Sequence, residues 1–149
     1  MLLVAGLVFA PAPVTAFGAA RSRVTINTTV TTTVPTFEFN AFFGPPSTVI
    51  SCELDHNVKS PGSKPFSEAY CMSYTKKLTH HVTLSTSGVV KKCVGVQCES
   101  NPGLGTPDLS PGTMVKSGPF TCVIAKSAVA CTIASGKGFN FTLNAINVI

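Results

Sequence analysis

The chain has 149 residues, enough for one domain, with 44% hydrophobic and only 11% charged residues, against about 25% charged in an average soluble domain. Eleven Lys and Arg against six Asp and Glu give a net charge of +5. The basic residues never run beyond adjacent pairs, and no nucleic-acid-binding motif accompanies them, which excludes a basic recognition stripe. Twelve Gly, eleven Pro and no Trp, with abundant Thr, Val, Ser and Phe, favour strands and turns over long helices.

Residues 1–20 carry no charged side chain. Leu2 to Ala10 is an apolar run, Pro11 and Pro13 break any helix, and Val14-Thr15-Ala16 and Gly18-Ala19-Ala20 offer small-residue exits for a signal peptidase. The pattern is that of a signal peptide over 1–20, too short to stay in a bilayer as a stable span. No Lys or Arg precedes the apolar run, so the true start is expected upstream of Met1. No Cys lies near either exit, which argues against a lipid-anchored chain.

Residues 21–47 form a Thr- and Phe-rich segment, a strand or a linker ahead of the main domain at 48–149. Val24, Ile26 and Val30 share one face at period 2. Phe37, Phe39, Ala41 and Phe43 repeat the alternation until Gly44-Pro45-Pro46 stops it. Thr48 to Leu54 predicts a third strand. Asp55 to Ser67, with Pro61-Gly62 and Pro65, predicts a loop, and Glu68 to Tyr74 a short strand. Val82 to Leu84 and Val89 to Cys93 flank Ser85-Thr86-Ser87-Gly88, a hairpin with Gly88 supplying positive φ. Asn101 to Gly112 predicts a long surface loop and Thr113 to Val115 a brief strand.

The clearest signal spans 119–134. Phe120, Cys122 and Ile124 share one strand face, and Val129, Cys131 and Ile133 share one face of the next. A turn at Lys126-Ser127 sets 122 opposite 131 and 124 opposite 129, pointing all six apolar side chains one way. Phe139, Phe141 and Leu143 continue the alternation. It breaks at Ala145-Ile146, predicting a bulge or strand end.

All six cysteines, Cys52, Cys71, Cys93, Cys98, Cys122 and Cys131, lie beyond residue 50. An even count behind an export-like segment reads as a disulfide framework. Nearest-neighbour pairing is the simplest of fifteen connectivities: Cys52–Cys71, Cys93–Cys98 and Cys122–Cys131. The competing reading is an all-cysteine zinc site from Cys93, Cys98, Cys122 and Cys131, but eight residues between the last two exceed a usual zinc knuckle. No Cys-x-x-Cys redox pair occurs.

Catalytic motifs are absent: no Gly-x-Ser-x-Gly, no His-Glu-x-x-His, no phosphate-cradling or dinucleotide-binding glycine loop. Glu53, Asp55 and His56 cluster after Cys52. On a strand the two acids share a face and His56 takes the other, so paired carboxylates for glycoside hydrolysis stand against a solvated strand end. His80-His81, as strand neighbours, point oppositely and do not ligate one metal together. Asn27-Thr28-Thr29 and Asn140-Phe141-Thr142 match the glycosylation sequon. Tyr70 and Tyr74, flanking Cys71, read as half-buried strand residues or part of a contact patch.

Gly118-Pro119-Phe120-Thr121-Cys122, Cys131-Thr132 and Gly136-Lys137-Gly138-Phe139, preceded by Val49-Ile50-Ser51-Cys52 and Ala69-Tyr70-Cys71, resemble small secreted cysteine-containing domains of unknown function from actinobacteria, mycobacteria especially. The resemblance covers roughly Thr48 to Ala145. It implies export, disulfides and β structure, and carries no catalytic residue across.

These observations predict an all-β, disulfide-stapled domain, a small antiparallel sheet, sandwich or barrel built of hairpins. The expected function is non-enzymatic: a secreted or cell-envelope binding module, without cofactor or metal, meeting anionic envelope components or an extracellular protein. The alternatives are a secreted hydrolase inhibitor presenting the loop Asn101 to Pro111, and a small hydrolase using Glu53, Asp55 or His56.

Overall fold

The computed structural model describes residues 24–43, 49–74, 78–98 and 106–149. The signal-peptide expectation, and residues 101–105 of the expected inhibitor loop, lie outside them.

The protein is all-β. Its described strands are β1 (Thr28–Thr32), β2 (Thr36–Phe42), β3 (Val49–Val58), β4 (Phe66–Tyr74), β5 (Thr79–Ser85), β6 (Val90–Val94), β7 (Asp108–Leu109), β8 (Thr113–Ser117), β9 (Phe120–Ile124), β10 (Ala128–Thr132), β11 (Gly138–Thr142) and β12 (Ala145–Val148). They form two six-stranded sheets. Sheet A runs β1-β8-β9-β10-β11-β12, and sheet B runs β6-β5-β4-β3-β2-β7. Each is a meander closed at one edge by a strand from elsewhere in the chain. β1 adds to β8 and β7 adds to β2, both in parallel. The sheets are therefore mixed rather than purely antiparallel, because the β1–β2 and β7–β8 connections both step from one sheet to the other. Thr28–Thr32 and Thr36–Phe42, placed by sequence in a strand-or-linker segment, are strands of these sheets.

One core fills the space between the sheets. Sheet B contributes Phe39, Ile50, Leu54, Val82 and Leu84, and sheet A contributes Val115, Phe120, Ile124, Val129, Phe139 and Phe141, all inaccessible to solvent. Each such aliphatic or aromatic side chain stabilises the fold by about 1.5–3 kcal/mol relative to exposure. Period-2 alternation puts these residues inward and their polar neighbours outward.

All three disulfides have the expected connectivity. Cys52 and Cys71 lie directly opposite across β3–β4, and Cys122 and Cys131 across β9–β10, with Cα atoms 4.1 and 4.0 Å apart. Both bridges belong to the core. Cys93–Cys98 pins a 3-10 turn, Val96–Cys98, beside β6. No cysteine is free, so none offers a thiolate to zinc, and that reading falls.

Three expectations are corrected. The loop predicted over 55–67 is shorter, since β3 runs to Val58 and β4 starts at Phe66. A register shift between Asp55 and Val58 absorbs the mismatch. There Asn57 sits at φ 53° and its N–H donates to Ser67 Oγ, a conformation Asn tolerates better than most residues. The surface loop 101–112 contains β7, held by the Asn40 N–H donating to Pro107 O and by the Asn40 amide donating to Asp108 Oδ1. The phase break at Ala145 marks a strand end, as one alternative had it, but β11 is not the final strand. A tight turn folds β12 back on β11.

Candidate functional site

The two outer faces of the sandwich differ in charge. On sheet B, the register aligns Lys91, Thr83, Tyr70, Glu53 and Glu38 in one row across β6, β5, β4, β3 and β2. The next row holds Ser85, Glu68, Asp55 and Thr36. Glu38 thus faces Glu53, and Asp55 faces Glu68. Like charges directly opposite on a sheet are destabilising, so the local sequence works against the fold here.

The cluster is relieved by protons and hydroxyls. Thr36 Oγ1 donates to Asp55 Oδ1 at 2.6 Å, and Asp55 is only 7% exposed. Burial, with hydrogen bonds and repulsion from Asp55 and Glu38, pushes the Glu53 carboxyl up from 4.5 to about 7. Burial also raises Glu68, against a hydrogen bond from Thr83 and attraction from Lys91. Beside them the Tyr70 and His81 rings meet edge-on at 4.5 Å, and the Tyr70 hydroxyl donates to Met72 Sδ. Burial lowers the His81 pKa.

The sequence placed Glu53 and Asp55 on one face and His56 on the other, and so they stand. Glu38 and Glu68 are the members that sequence reasoning missed. His56 turns inward, its ring lying on Gly118, where an added Cβ would run into Nδ1. His56 Nδ1 and the Oγ of Ser117, itself 1% exposed, are buried polar atoms without a hydrogen-bond partner. The two residues make no hydrogen bond with each other, so no Ser–His dyad forms. His80 and His81 are neighbours on β5 and take opposite faces. No group of three or more His, Cys, Asp or Glu among the described residues is arranged to hold a metal ion.

A glycosidase holds its two carboxyls roughly 5 Å or more apart so that sugar and water fit between. Glu53 instead stands directly opposite Glu38 and shares its face with Asp55, close enough that both raise its pKa. That geometry suits a shared proton better than attack on a substrate.

Sheet A is the reverse. From Leu109 to Ile149 the chain contains Lys116, Lys126 and Lys137 and no Asp or Glu. All three lysines are exposed. The lysines are dispersed, as the sequence reading held, but the acids are not. Glu38, Glu53, Asp55 and Glu68 share the outer face of sheet B, and Asp108 sits at its β7 edge.

Two open depressions lie on the acid-free side. One, of about 500 Å³, is bordered by Asn27, Pro111, Gly112, Lys126 and Ser127. The other, of about 370 Å³, is bordered by Val123, Ala128, Ala130, Asn140 and Ile149. Val24 and Ala125 line both. Backbone bonds fix the first: the Asn27 N–H donates to Gly112 O, and the Gly112 N–H donates to Ile124 O. Both glycosylation-sequon asparagines, Asn27 and Asn140, border these depressions.

No helix among the described residues is long and apolar enough to cross a membrane. No protein family, no curated protein and no solved structure matches the chain.

Proposed function

We propose that the protein is a secreted or envelope-associated binding module that engages anionic surfaces through sheet A, without catalysing a reaction. The observation that carries this reading is the separation of charge. Every described carboxylate side chain belongs to sheet B, while sheet A presents three lysines and no acid. A polyanion approaching sheet A meets lysines with no Asp or Glu beside them, whereas on sheet B carboxylates offset the lysines. Three intramolecular disulfides are compatible with life outside the cytosol. The close-packed carboxyls, with His56 on the opposite face, favour binding over hydrolysis. Within the described part of the expected inhibitor loop, Thr106 to Pro111, residues 107–109 are tied to β2 rather than projected, which weakens the inhibitor reading.

The test uses the chain from Arg21 to Ile149 and phosphatidylglycerol vesicles, with phosphatidylcholine vesicles as the neutral control. Binding is expected at low salt, to fall steeply as salt rises, and to be lost when Lys116, Lys126 and Lys137 are changed to Glu. Reversal of Lys91 and Lys92 in sheet B is expected to cost less. Binding indifferent to salt and to the sheet A lysines overturns the reading. So does hydrolysis of a peptide or glycan that disappears in Glu53→Gln.

A further inference from the structure

Among the described residues, Lys126 has the only charged side chain bordering either depression, and it borders only one of them. That half also offers the Asn27 amide and the Thr25 and Ser127 hydroxyls, while the other half is lined by Val123, Ala125, Ala128, Ala130 and Ile149 with Asn140 as its polar member. Because Val24 and Ala125 are common to both, the two halves adjoin. The apolar half consists of small or branched side chains on adjacent strands: Val123 faces Ala130, and Ala130 faces Asn140. Small residues there leave a furrow in the sheet surface where larger ones would fill it.

We infer that this furrow seats a single-chain amphiphile ending in a carboxylate. Its alkyl chain lies along Val123, Ala128, Ala130 and Ile149, and its carboxylate sits at Lys126 within reach of Asn27. This deepens the binding-module reading and rests on it. The charge of the ligand follows from complementarity. One ammonium and an amide donor at this end, with no Asp or Glu side chain on the sheet, suit one negative charge. The single chain follows from size, because about 370 Å³ lies near the lower bound of small-molecule sites. The polar end is set in advance. Gly112 has φ 89°, and a Cβ there would meet Asn27 Nδ2 at 2.8 Å, so the Asn27 amide packs directly on a glycine that no other residue replaces without strain.

The experiment is a ¹H–¹⁵N NMR titration of the Arg21–Ile149 protein with laurate, kept below its micelle-forming concentration. Dodecanol and acetate are the controls. Saturable amide shifts are expected at Val24, Ala125–Ala130 and Ile149, with acetate giving none. Ala130→Phe fills the furrow without changing charge and should weaken laurate binding at least about tenfold. Val123→Asp should do the same by placing a carboxylate beside the alkyl chain. Lys126→Ala should weaken laurate about threefold and erase its advantage over dodecanol.

Shifts that map to sheet B, or that survive both Ala130→Phe and Val123→Asp, overturn the proposal. So does self-association of the protein that Ala130→Phe abolishes while laurate has no effect. Ala130→Phe leaves the lysines intact, so vesicle binding should persist in it. Laurate binding without vesicle binding would refute the anionic-surface reading alone, and the converse would refute the furrow alone.

Discussion

The carboxylate cluster makes the folded state lose stability as pH rises through neutrality. Glu53 is the group to perturb. Its folded pKa, about 7, lies above its ordinary 4.5, so between those values the folded protein holds a proton that the unfolded chain has released. The Glu53 contribution is fully present below about 4.5 and is lost as pH rises through 7. At complete desolvation that interval corresponds to roughly 3 kcal/mol. Glu53 is only partly buried, and solvent screening reduces the figure to about 1 kcal/mol. Glu68, raised for the same first cause, works in the same direction. His81 works against both. Its folded pKa is lowered, so its contribution appears above the unfolded value near 6.5 and is lost as pH falls through the folded one. Glu53→Gln isolates the carboxyl from these neighbours, because Gln mimics the protonated acid in shape and neutrality. At pH 4.5 the two proteins should melt together. At pH 8 the variant should melt about 3 °C higher, the shift expected from about 1 kcal/mol in a domain of this size. Thermal unfolding followed by circular dichroism at both pH values gives the answer. A gap between wild type and variant that is equal at the two pH values, or wider at pH 4.5, refutes the reasoning.

Other perturbations separate what is strained from what is merely close. Gly138→Ala drives a Cβ into the Cys131 carbonyl oxygen and to 2.8 Å from Thr132 Cα. β10 must then move, at a cost of about 3 kcal/mol by urea denaturation. Gly136→Ala meets nothing within 4 Å and is burdened only by φ 83°, so it should cost about 1 kcal/mol. Ser117→Ala removes a buried hydroxyl that has no partner and should leave stability unchanged or raise it by about 1 kcal/mol. A loss of 2 kcal/mol or more by urea denaturation would show that the hydroxyl is satisfied in solution. Changing Cys122 and Cys131 together to Ser should cost about 3 kcal/mol or more, since two hydroxyls replace a bridge that is wholly buried. The same change at Cys93 and Cys98 opens a loop of only five positions and should cost about 2 kcal/mol or less.

The hairpin from Phe120 to Thr132 was legible because each strand buries one face and exposes the other. A period of 2 then fixes register as well as strand type, and it placed Cys122 opposite Cys131. The β5–β6 hairpin was legible through Gly88, which does sit at φ 82°. The β11–β12 turn was not, because Leu143-Asn144 carries neither Gly nor Pro and the break in alternation resembles a bulge. β1 and β7 depend on parallel partners far along the chain, a pairing no local pattern records. Half of the acid cluster was available in principle. Once Cys52 is paired with Cys71 across antiparallel strands, counting outward sets Glu53 against Tyr70 and Asp55 against Glu68. Glu38 was further from view, since its place opposite Glu53 depends on how β2 docks beside β3.

The acid cluster and the acid-free sheet are two sides of one arrangement. A chain with six acids and a charge of +5 has little need to bring four carboxylates onto one face, where opposite pairs repel and one must hold a proton near neutral pH. Spreading them over both sheets would relieve Glu53 and would also neutralise Lys116, Lys126 and Lys137. The observed placement therefore costs stability at sheet B and leaves the three lysines of sheet A with no Asp or Glu beside them. Local rules that are broken without a stabilising return are the ones that point to function. The two faces therefore have linked but separable tests. Moving a carboxylate from sheet B to sheet A, as in Glu53→Gln combined with Thr132→Glu, keeps the net charge at +5. It should raise stability at pH 8 while weakening attachment to anionic vesicles. If attachment follows net charge alone, the double variant will bind as wild type does, and the segregation of acids has no part in binding.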